Sequence, residues 1–309
     1  MTGMAEVRQP RAPAVALRDP LPWPVFAGAA RLAEELGYGG VFLPEIAGRD
    51  TVAALTGLAG ETSRVLLGTG VVPMGSRSPM LTAMAAVTVQ ERSGGRAILG
   101  LGTGAAVPGA LGRLRELVGE LRRLLEHEVS LAVPAPVPIW LSALGPRALR
   151  LAGAVADGVL LNWCPPERVA QARSAVSEAA AAAGRDPSGV RVAVYVRASL
   201  GEDRDAADLA LREAAAQYAS YPAYARQFAG VGLEDETAAA ARAHAGRRPG
   251  DVPDALLRAV TLPRDLAAAA GRLQEYRDAG ADLPVVYPVV AGRDPEGSLT
   301  ATILALAPA

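Results

Sequence analysis

Eight short apolar runs punctuate this chain, and a longer stretch of helical period follows nearly every one of them. The runs are Ala14–Leu17, Gly40–Pro44, Val65–Val72, Ala97–Leu101, Val137–Leu141, Gly158–Leu161, Val190–Val196 and Leu283–Val289. Such alternation predicts βαβ units and a parallel sheet. Most runs lack strict polar–apolar alternation, as expected of strands covered on both faces. Two ordinary domains or one α/β barrel would each fit 309 residues. Eight strands with a helix after each favour the barrel, so the predicted fold is a single (β/α)8 TIM barrel domain spanning 1–309.

The helices carry their own punctuation. Pro24 suits the first helical position, Val25, Ala29, Leu32 and Leu36 form the apolar stripe, and Gly37 ends the run in a left-handed cap. Ser78 is a natural N-cap with Pro79 just inside it, and Gly94–Gly95 stops that helix. Leu111, Leu114, Val118, Leu121 and Leu125 mark a fourth helix, while Pro146 and Pro166 open the fifth and sixth. One interval breaks the rhythm. Between the seventh and eighth runs lies a helical insertion, approximately 203–262, holding Tyr218, Tyr221, Tyr224, Phe228 and the Pro/Gly-rich stretch Gly246–Pro253. Chain inserted at a barrel mouth shapes a pocket or makes a dimer contact, and both readings stay open.

Composition removes whole classes of chemistry. All 31 basic residues are arginine, which excludes a lysine Schiff base, a pyridoxal phosphate anchor and a P-loop lysine. They nearly balance 32 acidic residues, and no basic stripe marks a nucleic-acid footprint. Cys164 is alone, and His127 and His244 lie far apart in helix-like surroundings. Neither a metal site nor a Ser-His-Asp triad has the material it needs. No signal-peptide layout and no membrane-length apolar run is visible, so the expectation is a soluble, cytoplasmic protein.

In a barrel, chemistry gathers where strands end. Those positions hold Arg18-Asp19, Pro44-Glu45, Gly68-Thr69-Gly70-Val71, Gly102-Thr103-Gly104, Ser142-Ala143-Leu144-Gly145-Pro146 and Asn162-Trp163. Small residues predominate, which lets a flat or phosphorylated ligand approach the backbone. Gly145-Pro146 at a helix start, with Arg147 beside it, suits phosphate or ordinary helix punctuation.

Taken together, ARLAEELGYGGVFLPE (Ala30–Glu45), the run Thr62–Gly104, VPIWLSALGPRALRLAGAVADGVLLNW (Val137–Trp163) and YRDAGADLPVVYPV (Tyr276–Val289) resemble the luciferase-like monooxygenase superfamily. Its members are bacterial-luciferase-type barrels that bind flavin or deazaflavin. The Ala-Leu-Gly-Pro-Arg loop and the Leu-Asn-Trp strand end are similar to the branch that uses coenzyme F420, a deazaflavin, whose familiar member is methylenetetrahydromethanopterin reductase.

That resemblance implies an oxidoreductase moving hydride between deazaflavin and an activated C=C or C=N bond. It implies a non-prolyl cis peptide at Gly70-Val71 backing the ring, with Pro44 and Thr69 beside it. Gly102, Thr103 and Gly104 would line the cofactor's side chain. Ser142 and Ala143, Leu144, Gly145, Pro146 and Arg147 would hold its phosphate, and Asn162 and Trp163 would close that side. Glu45 matches an acidic position near the ring and is the one catalytic candidate, able to orient the ring or exchange a proton; it equally suits a strand-end charge bonded to backbone. Relatives commonly carry Asp-His there, and Glu45-Ile46 leaves a histidine relay without its residue. Arg18, Asp19 and Asp50 read better as surface ion pairs. The short segment between Gly104 and Val137 suggests an open mouth and a bulky, peptide-like or polyketide-like substrate. The resemblance also makes a homodimer the expectation. An FMN-dependent monooxygenase and a non-catalytic flavin-binding relative remain the alternatives.

Overall fold

A closed parallel barrel carries the chain, seen in a computed structural model that describes residues 12–18, 21–104 and 107–308. Its strands are β1 Ala14–Ala16, β2 Gly40–Leu43, β3 Leu66–Thr69, β4 Val72–Pro73, β5 Ala97–Gly102, β6 Ile139–Ser142, β7 Gly158–Asn162, β8 Arg191–Ala198 and β9 Leu283–Pro288. They hydrogen-bond in the order β3-β2-β1-β9-β8-β7-β6-β5-β4, and β3 closes the ring on β5. The eight barrel positions expected from sequence are therefore present.

The third position is split, where one run Val65–Val72 is expected. Gly68 pairs with Ile98 and Val72 with Leu101, so four residues on one side oppose three on the other. The extra residue makes a bulge. It falls at the cis peptide Gly70–Val71. Apolar residues continue through the break, which is why the pattern alone does not show it.

Large rings opposite glycines fill the barrel interior. Phe42, Trp140, Tyr195 and Tyr287 share it with Ala14, Ala16, Ala193 and a few aliphatics. A Cβ on Gly68 would stand 2.3 Å from the Phe42 ring, and one on Gly158 2.6 Å from the Trp140 ring. Each glycine makes room for an aromatic group, keeping the packing dense without voids.

The helices are α1 Trp23–Glu35, α2 Thr51–Glu61, α3 Pro79–Arg92, α4 Ala110–His127, α5 Pro146–Val155, α6 Pro166–Ala182, α7 Arg204–Ala219, α8 Pro222–Ala229, α9 Glu234–Ala245, α10 Asp254–Val260, α11 Leu266–Asp278 and α12 Pro295–Ala305. Ser78 caps α3, accepting from Leu81 N, and Gly37, Gly94 and Gly95 hold positive φ as expected. The α1 stripe is rotated from its predicted position. Phe26, Ala29, Ala30 and Ala33 are buried, whereas Val25, Leu32 and Leu36 only flank the core. Alanines let the helix sit close to the sheet, and the larger residues pack along its edges. On α4 the buried line ends at Leu124 rather than Leu125.

Helices α7 to α10 lie between β8 and β9 and make a small core of their own. Leu211, Ala215, Phe228, Ala240 and Leu256 surround Trp163, which comes from the end of β7. Among the described residues no helix is long and apolar enough to cross a membrane.

Candidate active site

The mouth of the barrel has an aromatic floor. Tyr195 on β8 reaches across the interior, and its hydroxyl donates to the Gly70 carbonyl at 3.2 Å. A Cβ on Gly70 would stand 1.6 Å from that hydroxyl, so only glycine allows the approach. Tyr287 meets Tyr195 edge-on, 5.5 Å between centroids. Burial raises the Tyr195 phenol above its ordinary range, which keeps the proton that this hydrogen bond uses.

Above the floor, Gly102 at the end of β5 packs closely between Val71 and Ser142 of β6. A Cβ on Gly102 would lie 2.7 Å from both Val71 Cγ2 and Ser142 Oγ. Pro44 and Thr103 stand half-buried nearby in the chain's strand-end loops, and Gly104 turns away at positive φ. Thr69 is placed differently from its neighbours. Its hydroxyl donates to the Gly100 carbonyl and accepts from the Gly100 N–H, both at 2.7 Å, so that side chain is spent bridging the bulge. After β6, Ala143 is buried and Leu144 half-buried, while Gly145, Pro146 and Arg147 are exposed. Among the described residues no side chain caps α5; Pro146 has no N–H and Ala148 N donates to the Gly145 carbonyl, which leaves the Arg147 N–H as the first-turn donor open to an anion.

Glu45 is heavily engaged. It accepts from Ser76 Oγ and from Arg77 Nη2, each at 2.9 Å. The same guanidinium binds Asp50, which also caps α2 through Ala53 N. Burial would raise the Asp50 carboxyl, but the hydrogen bonds from Ala53 and Arg77 outweigh it and the net shift is downward. Asp50 thus stands in an ion pair. Arg18 is exposed at the end of β1, and Asp19 lies outside the described residues.

At the end of β7 the chain turns sharply. Trp163 sits in the left-handed region, φ 54°, which side chains rarely adopt. Gln227 of α8 holds this turn by donating to the carbonyls of Asn162 and Trp163, and Tyr276 of α11 donates to the Cys164 carbonyl. Trp163 is fully buried in the core of the insertion rather than lining the mouth. Asn162 remains at the mouth. It donates to Tyr224 Oη at 2.7 Å and accepts from Arg197 Nη1.

Arg197 is the site residue that sequence reading passes over. It sits at the end of β8, one interior-facing position above Tyr195, and is 4% exposed. Its guanidinium carbon lies 4.2 Å from the Tyr287 ring centroid, 4.6 Å from Trp163, 5.5 Å from Tyr218 and 5.8 Å from Tyr195. Among the described residues no carboxylate pairs with it. Taking an ion out of water costs several kcal/mol, and a desolvated cation–π contact returns about 2 kcal/mol. The signal is an arginine inside the largely apolar run Val-Ala-Val-Tyr-Val-Arg-Ala (Val192–Ala198) of β8.

The pattern of the luciferase-like monooxygenase family matches residues 12–283. A 5,10-methylenetetrahydromethanopterin reductase of Methanolobus tindarius is 37% identical over 202 residues, 58% of this chain and 61% of that protein. The match thus spans about three fifths of that relative's length. The coenzyme F420-dependent tetrahydromethanopterin reductase of Methanopyrus kandleri superposes with a TM-score of 0.75 at 22% identity, covering 94% of this chain and 97% of that one. An F420-dependent secondary alcohol dehydrogenase superposes with a TM-score of 0.76 at 17% identity, over 96% and 99%. At such identities the superpositions establish the fold. The family match takes in every strand of the barrel at least in part, and the chain belongs to the luciferase-like monooxygenase family.

Proposed function

We propose that this chain is an F420-dependent oxidoreductase, moving hydride between the deazaflavin and an activated C=C or C=N bond of an organic substrate. The observation that carries the reading is the bare glycine edge at the strand ends, where Gly70 and Gly102 lie so close to Tyr195, Val71 and Ser142 that neither position accepts a Cβ. A planar ring system needs such bare backbone, so the residues present fit the group. A coenzyme F420-dependent oxidoreductase of Mycobacterium tuberculosis, 29% identical over 226 residues, supports deazaflavin over FMN.

Bound there, the deazaflavin supplies a hydride carrier that resists oxygen. The chain's own residues bind and orient. Gly70 and Val71 back the ring above the Tyr195 floor, with Pro44 beside them, and Thr69 acts from behind by fixing the bulge. Gly102, Thr103 and Gly104 line the side chain. The loop from Ser142 to Arg147 meets the phosphate through the Arg147 N–H in the first turn of α5. Asn162 bounds that side, with Trp163 supporting it from beneath. Glu45, held by Ser76 and Arg77, orients the ring edge or exchanges a proton with substrate.

The reading extends to a single barrel domain with an inserted helical cap at about 203–262, acting in the cytoplasm on a small or peptide-like substrate. It also extends to a homodimer, supported by the exposed Met80, Leu81 and Met84 on α3. The test supplies reduced F420 deuterated at C5 with a panel of conjugated C=C and C=N acceptors, and reads the products by mass spectrometry. One deuterium on the reduced carbon, without oxygen uptake, is expected. Oxygen consumption with reduced FMN in place of that transfer would overturn the reading in favour of a monooxygenase.

A further inference from the structure

Four other arginines with little exposure or several partners show what a guanidinium ordinarily meets in this protein. Arg77 binds Glu45 and Asp50, Arg173 binds Asp282 and two carbonyls, and Arg212 binds Asp208 and Asp254. Arg96 has backbone carbonyls and a hydroxyl around it. Arg197 is less exposed than any of these side chains, yet among the described residues it donates only to Asn162 Oδ1. Its environment is also short of acceptors, since the neighbouring Trp163 indole N–H is buried without a partner among the described residues.

The setting is built and held. Aromatic rings surround the guanidinium, and π-faces position it without accepting along its in-plane edge. Tyr224 fixes the Asn162 amide so that its oxygen faces Nη1. A planar fork with donors to spare matches the two oxygens of a carboxylate or phosphate.

We infer that Arg197 is the seat of an oxyanion, a carboxylate or phosphate, carried by the molecule that exchanges hydride at this mouth. Only the assignment of that anion to substrate rests on the hydride-transfer reading. Around the barrel β8 lies two strands from β6, whose loop meets the cofactor phosphate in that reading, so the two anion positions are separate. The substrate class is then an unsaturated acid or phosphoester, oriented by Arg197 with its electrophilic carbon over the glycine edge.

The full chain is titrated at constant ionic strength with malonate, with inorganic phosphate and with neutral malonamide, following tryptophan fluorescence. The wild type and Arg197→Met are compared, each also titrated with F420. Expected are saturable malonate or phosphate binding, at least tenfold weaker in R197M, no response to malonamide, and F420 affinity within twofold of wild type. Equal anion binding in R197M, or no saturable anion binding by the wild type, would overturn the inference. A tenfold or larger loss of F420 affinity in R197M would also overturn it, because the seat would then belong to the cofactor. Should R197M melt far below the wild type, Arg197→Lys decides: it keeps the charge and loses the fork, and undiminished malonate binding would count against the inference. Wild type that binds anions but not F420 would sink the hydride-transfer reading and leave the Arg197 seat standing.

Discussion

Arg96, just before β5 at the N-terminal end of the barrel, donates to the carbonyls of Ser93, Val65 and Thr62 and to the Thr62 hydroxyl. Arg197, at the C-terminal end of β8, donates to one amide oxygen. The same residue type is saturated at one end of the barrel and left with spare donors at the other. Nearby groups follow suit. At the closed end Asp282 takes Arg173, Arg191 and Val192 N, and Asp157 takes Arg122 and Ile139 N. At the mouth, bare glycines and the uncapped start of α5 leave backbone open to a ligand. Polar groups at the closed end hold the fold, and those at the mouth are held ready for binding.

Breaking the closed end should cost the most stability. Arg96→Met strands the carbonyls of Val65, Thr62 and Ser93, and should lower unfolding free energy by about 3 kcal/mol. Denaturant unfolding would measure that loss, and F420 affinity at low temperature should stay unchanged. A comparable stability loss from R197M would erase the contrast between the two ends. For R197M the expected cost falls on turnover instead. kcat/KM should drop about 100-fold, near 2.7 kcal/mol of transition-state stabilisation, with unfolding free energy within about 1 kcal/mol of wild type.

Gly102→Ala sharpens the mouth side. Its Cβ would crowd Val71 and Ser142. F420 affinity should fall roughly tenfold, about 1.4 kcal/mol, and an unchanged titration curve would show that the ring lies elsewhere.

The smallest effect concerns pH. Glu34 accepts from the N–H groups of Ser63, Arg64 and Val65 and from the Ser63 hydroxyl. Burial pushes its carboxyl up, but these bonds outweigh it and the folded pKa is lowered. Its contribution is therefore full above the ordinary glutamate range and is lost as pH falls through the lowered folded value. Glu34→Gln should cost about 1 kcal/mol at neutral pH and flatten that part of the acid limb in thermal melts. An unchanged limb would show that the carboxylate adds nothing beyond an amide.

Much of this is legible in the sequence. The strand positions along the chain, the Ser78 and Gly37 caps and the helix-opening prolines each depend on local chemistry, and local chemistry is written in the residues concerned. The α1 face was misplaced because close approach by alanines outranks the reach of leucines, which only packing shows. The place of Trp163 depends on Gln227 and Tyr276, far along the chain, so its neighbours in sequence reveal neither the left-handed turn nor its burial. Thr69 looked like one more strand-end residue until the bulge gave its hydroxyl work. Arg197 escaped because attention to small residues at strand ends overlooks a large one. Its rings come from β7, β8, β9 and α7, which meet only in the fold.

The most direct measurement is a parallel fluorescence titration of the purified protein with oxidised F420 and with FMN. Saturation by F420 at micromolar concentration or below, with FMN at least tenfold weaker, is the expected result. FMN binding as tight or tighter, or binding of neither, would contradict a mouth built for deazaflavin.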